Sequence, residues 1–100
     1  MNETKSTQIK QSVAKIDIKK IISYPQYPES RTLRRIIKYS QRIQASDNKQ
    51  EIFKLGTDLA YYLNAICDPE KVGFIKDEKE KKRWLAISEE LFDNTIGLKK

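Results

Sequence analysis

Along this chain, apolar residues return every three or four positions within stretches that polar breaks separate. Ile9, Val13 and Ile16 fall at helical spacing, Lys20 interrupts the stripe, and Ile21 and Ile22 resume it. This predicts a first helix over 6–23, with a kink or an early end at Asp17-Ile18. Tyr24-Pro25-Gln26-Tyr27-Pro28 follows. Proline has no amide to donate and restricts the residue before it, so this segment predicts a stiff, extended connector. A second helix over 29–45, starting at Glu29 or Ser30, gathers Leu33, Ile36, Ile37, Ser40 and Ile43 on one face. Ser46-Asp47-Asn48 reads as a turn, with Asp47 or Asn48 capping a third helix over 48–67.

In that third helix Ile52, Leu55, Leu59, Tyr62 and Ile66 form the stripe, widened by Phe53 and Leu63. Gly56 in its middle costs up to about 1 kcal/mol relative to alanine, which points to a close helix contact there. Asp68-Pro69 ends the helix. Val72, Phe74 and Ile75 in the next loop are expected to plug the bundle end. Asp77, with Glu80 three residues on, resembles a capping box for a fourth helix over 77–96. That helix presents Trp84, Leu85, Ile87, Ser88, Leu91, Phe92 and Ile96, with Gly97 as its stop and 97–100 as a frayed tail. Four amphipathic helices joined by short loops make one domain, 1–100, of the all-α class: an antiparallel up-down four-helix bundle.

Composition narrows the chemistry. At 38% hydrophobic and 34% charged, the chain is too apolar for disorder and too charged for a membrane span. Its polar first eleven residues lack the apolar core of a secretory signal, so a cytoplasmic location is expected. One cysteine and no histidine leave no internal disulfide and no Cys/His metal set, and remove the usual general base near neutral pH. Few glycines argue against a phosphate-cradling loop. The chain therefore reads as a binder rather than an enzyme, with no cofactor.

The net charge of +6 is uneven. Residues 1–50 hold eleven Lys/Arg against four Asp/Glu, whereas residues 51–100 hold nine against ten. On the second helix Arg31, Arg35, Lys38 and Arg42 share one side, with Arg34 beside them. Arginine grips phosphate and carboxylate bidentately, so this stripe is either a docking surface for an anionic partner or a solvated outer face. Tyr24, Tyr27, Tyr39 and Tyr61 are candidates for an interface or for covering the bundle ends. Lys79, Lys81, Lys82 and Arg83 point in different directions on a helix and make a weak nucleic-acid signal. Asp77, Glu78 and Glu80 suit the helix dipole, and Cys67 suits a buried apolar role.

One further pattern spans nearly the whole chain. A basic first helix leads into the Tyr24-Pro25-Gln26-Tyr27-Pro28 connector, then a helix with Leu33, Ile36 and Ile37. Leu59-Ala60-Tyr61-Tyr62-Leu63 follows, then the Lys71-Val72-Gly73-Phe74 loop, then Trp84-Leu85-Ala86-Ile87-Ser88-Glu89-Glu90-Leu91. In this order the chain resembles the immunity proteins for pediocin-like (class IIa) bacteriocins, of the enterocin A immunity type. The resemblance implies a cytoplasmic four-helix bundle without catalysis or cofactor. It also implies that such a bundle protects the cell by engaging the membrane subunits of the mannose phosphotransferase permease once bacteriocin has docked there. It places the specificity surface at the end of the last helix: Leu91, Phe92, Asn94, Leu98, Lys99 and Lys100. The stripe of Arg31, Arg34, Arg35, Lys38 and Arg42 would suit docking on an anionic inner leaflet. Two other readings stand beside this one: a small basic nucleic-acid-binding regulator and a helical adaptor. A monomer is the expected state.

Overall fold

The computed structural model describes residues 4–99 of the chain, and the side chains of 5–95. It is all-helical, with α1 (Thr4–Ala14), α2 (Ile18–Ser23), α3 (Arg31–Ala45), α4 (Lys49–Cys67) and α5 (Glu78–Lys99). The expected first helix is thus two, parted at the kink or early end expected at Asp17-Ile18. The amides of Lys15 and Ile16 close back on Ser12 and Val13, tightening the end of α1. Asp17 then adopts an extended backbone, and its carboxylate accepts from the Lys20 amide at 3.1 Å, which caps a new helix. Ile16, in the break itself, is buried.

The connector is also not extended. The Tyr27 amide donates to the Tyr24 carbonyl, and the Ser30 amide to the Gln26 and Tyr27 carbonyls, which gives consecutive turns. Pro25 and Pro28 each take the second position of a turn, where the fixed φ of proline is favoured. Ser30 caps α3, accepting from the Leu33 amide at 3.1 Å. Asn48, rather than Asp47, caps α4 through the Glu51 amide. Asp77 accepts from the Glu80 amide at 3.0 Å and starts α5. The reciprocal half of a capping box is absent there, because the Glu80 carboxylate is engaged with Tyr24 and Lys20. At the far end Gly97 does not stop the helix, which continues to Lys99. A glycine inside a helix is a modest cost rather than a terminator.

Pairs across the bundle fix the directions. Ser12 meets Glu90 while Tyr24 meets Glu80, so α1 and α2 run against α5. Ser88 donates to the Ala60 carbonyl, and Cys67 lies by the Lys81 carbonyl, so α4 also runs against α5. Arg42 pairs with Glu51, and Lys10 reaches Gln44, so α3 opposes both α4 and α1. The packing is that of a helical bundle whose first arm is broken in two. Its core runs from Ile9, Val13 and Ile21 through Leu33, Ile36 and Ile43 to Leu59, Leu63, Trp84 and Leu91.

Gly56 lies where a Cβ would stand 3.0 Å from Thr95 Cγ2 and 3.4 Å from Ile9 Cγ2, as its place in the stripe suggested. The loop after α4 folds back on the helix end, with the Val72 and Gly73 amides on the Ala65 carbonyl and the Ile75 amide on Ile66. Gly73, at φ 60°, is the residue that permits this turn, since a Cβ there would strike Pro69 and Asp68. Ile75 is buried and Phe74 packs on the core, but Val72 is exposed, so only two of the three expected plug residues serve that role.

Candidate binding surface

The outer face of α3 follows from its amphipathic pattern. With Leu33, Ile36, Ile37, Ser40 and Ile43 buried, Arg31, Arg34, Arg35, Lys38 and Arg42 are all exposed. Arg31, Arg34, Arg35 and Lys38 line one shallow groove. Arg42 is tied off by Glu51 at 3.0 Å. The Ser46 hydroxyl, followed by Arg42, holds the Glu51 carboxyl below its ordinary value. Among the described residues, Arg31, Arg34, Arg35 and Lys38 pair with no carboxylate. The uncompensated charge of α3 therefore sits in its first half.

Tyrosines adjoin this face. The Arg35 guanidinium lies 5.9 Å from the Tyr62 ring centre, Tyr62 packs at 5.6 Å on Tyr39, and Tyr61 follows at 6.3 Å from Tyr62. The Lys71 ammonium sits 4.6 Å from the centre of the Tyr61 ring, a cation–π contact. Burial pushes the Tyr62 hydroxyl up. Tyr61 is half exposed whereas Tyr62 packs on the core, so of this adjacent pair one faces in and one out. Tyr24 and Tyr27 pack against the core at the connector.

Of the other expected surface, at the end of α5, the described residues Leu91, Phe92 and Asn94 are tied down. Leu91 is fully buried and belongs to the core, so it is no contact residue for a partner. Phe92 is partly buried against that core. Asn94 reaches Ser12 of α1 at 3.5 Å. The side chains of Ile96, Leu98 and Lys99, and the whole of Lys100, lie outside the described residues. On the same seam Glu90 accepts from Lys15 and Ser12, both at 2.7 Å, and these bonds hold its carboxyl below the ordinary range.

A part-buried chain of hydrogen bonds has no local signature in the sequence. Trp84 Nε1 donates to Tyr24 Oη at 3.1 Å, and Tyr24 Oη donates to Glu80 Oε1 at 2.6 Å. The other oxygen of Glu80 faces Lys20 at 3.4 Å. Burial and the bond to Glu80 push the Tyr24 hydroxyl well up. The helix-start signal of Asp77 and Glu80 was visible, but the partner of Glu80 lies 56 residues away. Cys67 is buried and its thiol is pushed up to about 11 by burial. Among the described residues no group of three His, Cys, Asp or Glu is placed to hold a metal, and no helix is long and apolar enough to cross a membrane.

Fold and surface together define an all-α helical bundle that carries an unpaired cationic face edged with tyrosine. No protein-family model, no curated protein and no solved structure matches the chain.

Proposed function

We propose that this chain is an immunity protein against a pediocin-like pore-forming bacteriocin. In this reading it acts by binding, not catalysis, at the inner face of the membrane, on the mannose phosphotransferase permease that bacteriocin has engaged. The order of sequence features along nearly the whole chain carries the proposal. Three of those features also meet in space. Tyr24 of the connector lies 6.0 Å from the Phe74 ring of the loop and accepts the indole N–H of Trp84 from the last helix. A binding role accords with Cys67, whose thiol stays protonated at neutral pH.

The test is intracellular expression in a bacteriocin-sensitive Gram-positive host. The cells are challenged with a panel of pediocin-like peptides and with an unrelated pore-former. Selective survival against one or a few of the panel is expected. Equal killing by every peptide, with the protein folded and abundant, would overturn the proposal. The unpaired cations of α3 favour one second reading, a small basic regulator that binds nucleic acid, whose mark would be binding that falls steeply with salt.

A further inference from the structure

We infer that the first half of α3, with Tyr61 and Lys71 beside it, docks flat on an anionic lipid bilayer. Four observations carry this. Arg31, Arg34, Arg35 and Lys38 are exposed, share one side of α3, and have no carboxylate partner among the described residues. At 1.5 Å per residue, the row from Arg31 to Lys38 is about 10 Å long, enough to lie across more than one lipid headgroup. The tyrosines beside it already hold the protein's own cations over one ring face each: Lys71, itself 3.9 Å from the Asp68 carboxylate, on half-exposed Tyr61, and Arg35 on Tyr62. A single-stranded nucleic acid needs open ring faces on which its bases stack. A phosphate headgroup layer needs only the cations, with amphipathic rings at its edge. Finally, Val72 is 41% exposed and lines a groove with Pro25, Pro28 and Phe74 at the start of α3, where Glu29 is the one acidic residue of the lining. It supplies an apolar edge next to the charged row.

This surface differs from the end of α5, and the inference does not depend on the bacteriocin reading. The experiment is flotation of the purified full chain with phosphatidylcholine vesicles, with or without phosphatidylglycerol. Binding only to the phosphatidylglycerol vesicles, weakened by added salt, is expected. Each lipid-facing cation contributes roughly fivefold in affinity, so the Arg34→Glu/Lys38→Glu pair is expected to lose at least about 25-fold. The Lys82→Glu/Arg83→Glu pair on α5 carries the same change in net charge and is expected to lose much less. Far-ultraviolet circular dichroism and thermal midpoints confirm that both variants fold. Equal binding to both vesicle types, or equal loss in the two variants, would overturn the inference. So would tight binding of an oligonucleotide with no binding of vesicles. The assay holds neither permease nor bacteriocin, so it and the protection assay fail independently.

Discussion

Trp84 illustrates how one side chain can fill the core and also settle a polar group. Its ring is almost wholly buried, and its N–H meets the Tyr24 hydroxyl, which in turn binds Glu80. Trp84→Ala is expected to destabilise the fold by about 3–5 kcal/mol in urea unfolding, in line with large aromatic truncations. Glu90 gives a pH signature. Its folded pKa is depressed by Lys15 and Ser12, so its contribution is present above the ordinary carboxylate value of 4.5 and is lost as pH falls through the folded pKa. Glu90→Gln is therefore expected to flatten the acid limb of a stability-against-pH curve, while leaving its alkaline limb unchanged. At this scale the sequence was uneven. Asp77 as a cap, and the choice of Asp47 or Asn48 for α4, were readable because a cap acts on amides two or three residues away. Tyr24, Glu80 and Ser12 were not, because their partners come from the far side of the bundle and no local pattern encodes them.

Helices fared better, since burial of a stripe is a local property of spacing. α3 and α4 fall within a few residues of their expected bounds, and the buried residues of α3 are those of its stripe. The first arm was harder. Its apolar spacing continues across residues 15–17, and only the carboxylate of Asp17 reveals the new start. The stiff connector became a run of turns because proline suits both, and hydrogen bonds with neighbouring carbonyls decide between them. Gly56 supports a prediction about elements. Gly56→Ala adds helix propensity but presses a methyl against Thr95 Cγ2 at 3.0 Å, and overpacking of this kind commonly costs about 1–3 kcal/mol. A lower thermal midpoint is expected for Gly56→Ala, with recovery on adding Thr95→Ser, which removes the contacting methyl. Recovery to a midpoint above that of the natural chain would show the propensity gain alone.

Over the whole molecule, the two surfaces expected from the sequence had different outcomes. All five cations of the α3 stripe are exposed, because exposure on the outer side follows from burial on the inner one, but Arg42 is paired with Glu51. The α5 surface lost Leu91 to the core, since an apolar residue in the register of Trp84, Ile87 and Ser88 faces inward. Charge is likewise a property of arrangement, not of total. The chain has a calculated isoelectric point near 9.4, yet four unpaired cations of α3 sit on one side of the molecule. The Arg34→Glu/Lys38→Glu and Lys82→Glu/Arg83→Glu pairs have equal net charge. On a cation exchanger at neutral pH the first pair is expected to elute earlier, because retention follows the densest patch. Co-elution would show that the α3 face does not dominate the field.

The closed thiol of Cys67 has a practical corollary. The chain holds one cysteine, and in the folded state it is both covered and protonated. A dye or spin label that reacts with thiolates will therefore pass over the native molecule and attach only to a cysteine added on the outside. Val72→Cys, beside the row of arginines, would accept such a label without removal of the natural residue. The reporter would then read immersion or solvent directly at the edge of the basic face.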